Sequence, residues 1–297
     1  MWRKTKELIS VSVRKAIDFE IGTQGAAIAF YTIFSVAPLL ILIISVGSLF
    51  YSEELITGQV SEQLETYFGA ELARGLQEFM ESRKQAAGNL FTSIVALITM
   101  AVGATTVISQ LKHVLNKIWN VETIHIHSVW QFMLNRLISF GIIIILSFLL
   151  LTSLFAESFI AFAFSFLQQI FPEISLTYYQ ILSQMSTIFF AIIFFTLVFK
   201  ILPDVHARWS DILAGALFTT ILFLLGKYLV GLFLTATGID TTYRAAGSIV
   251  IFVIWVYYNV QIVLFGAIVT QVYTSMFGGK ILPYKFVSLR MGKTQTD

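Results

Sequence analysis

Six long apolar stretches limit what this chain can fold into more than any other feature of its sequence. A bilayer core of about 30 Å is crossed by a helix of about 20 mostly apolar residues. The stretches cover residues 27–50, 91–109, 134–164, 178–201, 212–234 and 247–276. Charged residues make up only 12% of the chain, whereas a soluble globular chain carries about 25%. The sequence therefore predicts an all-α fold: a polytopic membrane protein with six transmembrane helices, forming one integral membrane domain over residues 1–297.

The basic residues are divided unequally between the two ends of these helices. Fourteen of the 19 Lys and Arg residues fall in segments on one side: the N-terminal region, the loops after the second and fourth stretches, and the C-terminal region. The loops on the other side hold four. Because loops rich in Lys and Arg remain in the cytoplasm, we expect a multi-pass protein of the bacterial inner (plasma) membrane with both termini cytoplasmic. An amphipathic segment, not a compact apolar core, follows the basic start, so no removable signal peptide is predicted.

Four segments beside the apolar stretches are predicted to form further elements. Residues 1–26 predict a cytoplasmic amphipathic segment, which is either a membrane-surface helix attracted to anionic lipid or an elbow packed under the bundle. Residues 52–90 predict an outer acidic helical hairpin that caps an opening, binds an external partner, or covers the bundle as a solvated element. Residues 108–119 continue the second span into the interface. Residues 277–297 form a basic cytoplasmic tail.

The residues that usually carry catalysis are sparse. The chain has no cysteine, which excludes disulfides, thiolate catalysis and Cys-ligated metals. His125 and His127 form a His-x-His pair, but Glu122 is the one acid of that loop, which is too few ligands for a metallohydrolase. Phosphate-binding, dinucleotide-binding, serine-hydrolase and zinc-protease motifs are absent from the sequence. From these observations the sequence predicts no enzyme, no cofactor and no metal. The net charge of only +2 predicts no nucleic-acid partner.

Two of the apolar stretches carry a narrow face of polar and small side chains, as helical periodicity shows. The faces comprise Gln24, Tyr31, Ser35, Pro38 and Ser45 on the first stretch and Ser248, Trp255, Asn259, Gly266 and Thr270 on the sixth. Such residues either join helices, because small side chains let backbones approach, or line a pathway for a solute or lipid. Both interpretations stay open at the level of the sequence.

Lys227 is the one full charge well inside a predicted span, and Arg244 comes just before the sixth span. With the polar faces, they predict a cleft between the first, fifth and sixth spans, open to the outer half of the bilayer. The cleft residues are Tyr31, Ser35, Lys227, Arg244, Ser248 and Asn259. Lys227 and Arg244 would attract an anionic headgroup, unless they are unrelated side chains that extend separately to the interface.

Four stretches, in order along nearly the whole chain, resemble the YihY/BrkB family of bacterial inner-membrane proteins, once labelled ribonuclease BN. They are residues 26–31 with 35–40 (AAIAFY, SVAPLL), 115–121 (LNKIWNV), 202–204 with Trp209 and 215–216 (LPD, W, GA), and 246–248 with 255–258 and 266–267 (AGS, WVYY, GA). The resemblance implies six spans and an inner-membrane location, and it supplies no established biochemical activity. Within the family the ribonuclease label looks like a misassignment, and this sequence gives it no metal-binding constellation.

The chain departs from the family pattern at two positions. Arg244 follows Tyr243 where the family often has Gly, and Ile268 stands where the family often has Glu. If that Glu serves proton coupling in the family, this chain lacks it.

Two functions remain open from the sequence. The first is a transporter or exporter of lipid or another anionic amphiphile, with membrane lipids as its partners. The alternative is a non-transporting envelope scaffold or interaction protein that holds partners through the acidic outer hairpin.

Overall fold

The structure, a computed structural model, describes residues 2–32, 35, 52–68, 74, 90–123, 129–171, 175–237, 247–278, 282–283 and 287–289. Its helices are α1 (Trp2–Asp18), α2 (21–32), α3 (Glu53–Phe68), α4 (Leu90–Ile118), α5 (Val129–Ile170), α6 (Leu176–Ile201), α7 (Trp209–Thr237) and α8 (Gly247–Phe277). Its short strands are β1 (Val121–Thr123), β2 (Val205–His206), β3 (Leu282–Pro283) and β4 (Val287–Leu289). The predicted all-α fold is confirmed.

Among the described residues, four helices are long and apolar enough to cross a membrane: Leu137–Ile170, Leu176–Ile201, Trp209–Leu229 and Phe252–Phe277. They correspond to the third to sixth predicted spans. The second predicted span lies within α4, a helix of 29 residues. Most of the first lies outside the described residues, so the count of six spans stays a prediction.

Local sequence signals set several helix ends. The Oγ of Ser175 accepts a hydrogen bond from the backbone N of Thr177 and so caps the start of α6. Pro203 follows the end of α6, where its ring disfavours a further helical turn. Asn120 follows α4 with a φ of 55°, a left-handed conformation that Asn tolerates better than most residues.

Helices α7 and α8 pack through a reciprocal pair of Gly-x-x-x-Thr segments. Gly215 of α7 faces Thr270 of α8, and Gly266 of α8 faces Thr219 of α7, each so closely that a Cβ on the glycine would overlap the threonine side chain. Each threonine Oγ1 donates to the carbonyl four residues earlier in its own helix, at 2.7 Å. The contact between the helices is therefore steric, as expected where lipid gives no hydrophobic drive to associate.

Next to this contact, aromatic rings connect three of the long helices. Phe195 of α6 lies edge-on to Phe223 of α7 with ring centroids 5.8 Å apart, and Phe223 lies edge-on to Trp255 of α8 at 6.5 Å. Edge-to-face contacts of this kind add to the energy of area burial.

One end of the bundle gathers segments that are distant in sequence, and we call it the junction end. Strand β1 pairs antiparallel with β4, with Val121 opposite Leu289. Strand β2 pairs antiparallel with β3, with Val205 opposite Pro283. The C-terminal strands are thus joined to the connections that follow α4 and α6. These connections and the C-terminal segment are among those that the basic residues predict to be cytoplasmic.

Candidate functional site

Asp204, in the connection after α6, organises polar contacts with the end of α4 at the junction end. The Nδ2 of Asn116 donates to Asp204 Oδ2 at 2.8 Å, and the backbone N of Asp204 donates to Asn116 Oδ1 at 2.8 Å. Lys112 Nζ lies 2.9 Å from Asp204 Oδ1. Asn116 and Asp204 both belong to stretches that resemble the family, and their side chains satisfy each other. Their arrangement joins the end of α4 to the connection after α6, and Lys112 neutralises the carboxylate.

Lys15 joins three helices beside that cluster. Its Nζ donates to the carbonyl O of Ile118 at 3.0 Å and to Gln271 Oε1 at 2.6 Å. A cation is favoured at this place, because Ile118 carries one of the last, unpaired carbonyls of α4 at the negative end of the helix dipole. Burial nevertheless lowers the pKa of Lys15 to about 8, because desolvation disfavours the charged amine.

The chain bends between α1 and α2. Glu20 has a φ of 51°, and its backbone N donates to the carbonyl O of Ile17 at 2.9 Å. The next helix begins with a hydrogen bond from Gln24 N to Glu20 O at 3.1 Å. Gln261 of α8 holds this elbow, since its Nε2 donates to the carbonyl O of Ile21 at 3.1 Å.

A groove of about 330 Å³ lies between the elbow and α8, and we call it the elbow groove. Its lining consists of Val13, Ala16, Ile17, Glu20, Ile21, Gly22 and Phe265. Glu20 is the one charged residue of this lining. Ile17 is 70% exposed and Val13 43% exposed, so apolar side chains continue from the groove onto the outer face of α1. Phe265 lies within the candidate span Phe252–Phe277, so a helix long and apolar enough to cross a membrane contributes to the lining.

The structure places the predicted cleft residues in different surroundings. Tyr31 of α2 is exposed, whereas Ser35 is buried. Lys227 of α7 is exposed, and Asn259 Nδ2 donates to Trp255 O of its own helix at 2.7 Å.

Two of the cleft residues lie side by side on neighbouring helices. Gly226 packs against the ring of Tyr258, which sets Lys227 and Asn259 at the same level of α7 and α8. Arg244 and the side chain of Ser248 lie outside the described residues, and so do His125 and His127.

Sequence reasoning did not single out the elbow groove as a site. A signal was present, because Val13, Ile17 and Glu20 recur at helical spacing on one face of α1. The partner residue Phe265 is one of 28 Phe in the chain, and nothing in the pattern distinguishes it. The Asn116–Asp204 contact joins residues 88 positions apart, which a single sequence does not reveal.

Comparison with known proteins gives relatives but no chemistry. A UPF0761 membrane protein of Pseudomonas paraeruginosa is 26% identical over 246 residues, which is 82% of this chain and 57% of the relative. Another, of a Janthinobacterium species, is 23% identical over 276 residues, 91% of this chain and 60% of the relative. A third, of Glaesserella parasuis, is 24% identical over 216 residues, 72% of each chain.

The chain thus spans less than two thirds of the length of the first two relatives. No solved structure matches it. The family described as virulence factor BrkB matches residues 13–283, which is most of the chain. This protein is therefore an integral membrane protein that belongs to the virulence factor BrkB family.

Proposed function

We propose that the protein is a transporter or exporter that moves an anionic amphiphile, such as a lipid, across the bacterial inner membrane. The observation that carries this proposal is the position of Lys227. It is exposed near one end of the candidate span Trp209–Leu229. Tyr228, its neighbour, is 67% exposed. A cation and an aromatic hydroxyl on the lipid-facing surface of an apolar helix suit contact with headgroups.

The cost of placing a charge in lipid and the attraction to anionic headgroups both favour an anionic partner for Lys227. A charged side chain in the middle of a bilayer costs about 3 kcal/mol on insertion scales, so a lipid-facing lysine extends its amine toward the headgroups. Attraction to an anionic surface contributes about 1 kcal/mol per basic group. Lys227 therefore supplies an attraction for anionic lipid that the surrounding apolar side chains do not.

The packing of α7 on α8 supports a route along the protein surface. Gly266 and Thr270 belong to the polar face that the sequence assigns to the sixth span, and both are buried against α7. That part of the face joins helices and leaves no space for a solute. A lipid would instead keep its chains in the bilayer while its headgroup follows the protein surface.

Transport can be tested in sealed vesicles. Purified protein is reconstituted into phosphatidylglycerol and phosphatidylethanolamine vesicles with a trace of fluorescent phosphatidylglycerol, and an impermeant quencher reports movement between leaflets. We expect faster exchange than in protein-free vesicles, and Lys227→Gln should slow it about five-fold, as a loss of about 1 kcal/mol implies. Lys117→Gln is the matched control, because Lys117 lies over the Phe19 ring at the junction end. Exchange no faster than in protein-free vesicles would contradict transport.

The proposed orientation places the junction end in the cytoplasm, with both termini there. Its support is the excess of Lys and Arg in these segments. Because the chain has no cysteine, single cysteines report each side directly. In intact cells an impermeant thiol reagent should label Glu54→Cys on α3 and leave Lys117→Cys unlabelled. The reverse pattern would overturn the orientation.

We also propose that the protein is not an enzyme and binds no nucleic acid. The support is the sparse set of His and acid side chains in the sequence and the small net charge, since binding a polyanion needs many Lys and Arg contacts. Purified protein with added Mn²⁺ or Zn²⁺ should leave RNA intact. RNA cleavage that disappears in a His125→Ala/His127→Ala variant would show a nuclease.

An envelope scaffold is the second candidate, and the position of α3 favours it. Ile56 and Val60 of α3 are buried, and Ser158 of α5 donates to Gln59 Oε1 at 3.4 Å. Glu54 and Glu62 are exposed on the same helix. A helix fixed to the bundle with acidic side chains outward could hold a basic partner. Crosslinking of the full chain in cells, lost in Glu54→Gln/Glu62→Gln, would favour this candidate over transport.

A further inference from the structure

The elbow groove has the shape and chemistry of a site for one lipid chain. Its volume of about 330 Å³ falls at the lower end of the range for small-molecule sites. The lining is apolar apart from Glu20. Ile17 and Phe265 lie on opposite walls, one from α1 and one from α8. Since Phe265 belongs to a helix long and apolar enough to cross a membrane, acyl chains packed against that helix could reach the groove.

The charge beside the groove decides which headgroup fits. The two lysines close to the elbow are already engaged: Lys15 donates to Ile118 and Gln271, and Lys117 lies 5.3 Å from the centroid of the Phe19 ring. Within the described part of the chain no Lys or Arg forms a salt bridge with Glu20. The exposed Glu20 carboxylate therefore adds a negative charge beside the groove that the described Lys and Arg residues do not pair. It repels an anionic headgroup and attracts an ammonium group.

We propose that the elbow groove binds one acyl chain of a phospholipid whose headgroup carries a primary ammonium, and that Glu20 pairs with that ammonium. This site is distinct from Lys227 and does not rest on transport, because a lipid held at the elbow could equally be a fixed structural lipid. Glu20 acts there through its charge, and Ile17, Gly22 and Phe265 act through their shape.

The groove can be closed by a single substitution. A Cβ at Gly22 would meet only Tyr257 Oη, at an ordinary distance of 3.6 Å, so Gly22→Leu can place its side chain in the groove without displacing backbone. Gly141→Leu on α5 is the matched control, because a Cβ there meets no atom within 4 Å. Ile17→Asn is a second variant at an exposed position, which makes the groove polar without changing the packing of the bundle.

The test uses the full-length protein in nanodiscs that contain phosphatidylethanolamine and phosphatidylglycerol in equal amounts. In separate samples one of the two lipids carries a diazirine in its acyl chain, and mass spectrometry locates the adducts after illumination. We expect adducts on residues 13–22 and on Phe265, with phosphatidylethanolamine preferred by about two- to five-fold, as for an exposed ion pair. Each methylene that Gly22→Leu keeps out should weaken binding about four-fold.

The outcomes separate the proposal from its alternatives. Glu20→Gln should equalise the two lipids while leaving the total yield of adducts unchanged, and Gly141→Leu should change neither. Adducts no denser at the groove than at the exposed Leu137 of α5, and unaffected by Gly22→Leu and Ile17→Asn, would overturn the proposal. A disulfide between two copies of an Ile17→Cys variant, which has no other cysteine, would assign the groove to a second copy and also overturn it. Transport in vesicles that survives all these variants would leave the role of Lys227 untouched.

Discussion

The α7–α8 contact and the junction end hold the same bundle together by opposite means. Between α7 and α8, glycines let two threonines approach the facing backbone, and each threonine hydroxyl bonds within its own helix. At the junction end, Lys15, Lys112 and Asp204 join segments through their side chains. Because lipid provides no hydrophobic driving force for helices to associate, close packing of glycine against threonine determines how α7 and α8 meet. Near water, directional polar contacts determine which segments meet, because a buried polar group without a hydrogen-bond partner lowers the stability of the fold.

The largest effect is expected from breaking the fit between α7 and α8. Gly215→Val should lower the free energy of unfolding by about 3 kcal/mol, because its Cβ overlaps Thr270 and this is the upper end of the usual cost of overpacking. Thermal unfolding in detergent measures it. Gly141→Val is the control, since nothing lies within 4 Å of a Cβ there. Thr270→Gly should partly rescue Gly215→Ala; equal effects of Gly215→Val and Gly141→Val would show that the close approach does not matter.

Removing the side chain of Asp204 tests the polar contacts of the junction end. Asp204→Ala removes the partner of Lys112 and of Asn116 Nδ2, and hydrogen bonds to charged groups contribute about 2 kcal/mol each in favourable cases. Since the side chain of Asp204 keeps 21% of its exposure, we expect a loss of about 2 kcal/mol in total. Asp18→Ala, at an exposed acid of α1, is the control. If both variants unfold at the wild-type temperature, the cluster does not specify how α4 and the connection after α6 join.

The amine of Lys15 makes the junction end sensitive to pH. Burial lowers its pKa from 10.5 to about 8, so between pH 8 and 10.5 the folded chain binds fewer protons than the unfolded chain. The free energy of unfolding should therefore rise with pH across this window, by about 2 kcal/mol after allowance for the exposed part of the amine. Below pH 8 both states are protonated and the penalty is constant. Lys15→Met should abolish the rise, and an identical rise in that variant would assign it to other groups.

Much of this architecture follows from sequence, and the parts that do not have a common cause. The apolar stretches predict α5 to α8, because a helix pairs its own backbone N–H and C=O groups, which lipid cannot do. The positions of Gly266 and Thr270 on one face are also visible, but their partners Gly215 and Thr219 depend on how two helices meet. Lys15 is one of five basic residues in the N-terminal region, and only the fold shows that it contacts Gln271, 256 positions away.

The smallest effect is expected at the backbone of the elbow. It distinguishes the strain of the Glu20 backbone from the charge of the Glu20 carboxylate. Glu20 holds a φ of 51°, which costs a residue with a Cβ about 1 kcal/mol more than glycine. Glu20→Gly should thus raise the free energy of unfolding by about 0.5 kcal/mol, after the greater freedom of glycine in the unfolded chain is subtracted. Glu20→Gln keeps the strained backbone and should bring no gain, and Asn120→Gly should gain less, because Asn accepts this conformation.

Both Glu20 variants remove the carboxylate, so both should lose the preference for the ammonium headgroup while only Glu20→Gly becomes more stable. Thermal unfolding and lipid adducts measured on the same preparations check this. A preference that survives in Glu20→Gly but not in Glu20→Gln would mean that the shape of the elbow selects the lipid. The strained backbone at Glu20 would then be a consequence of folding, unconnected with the carboxylate it carries.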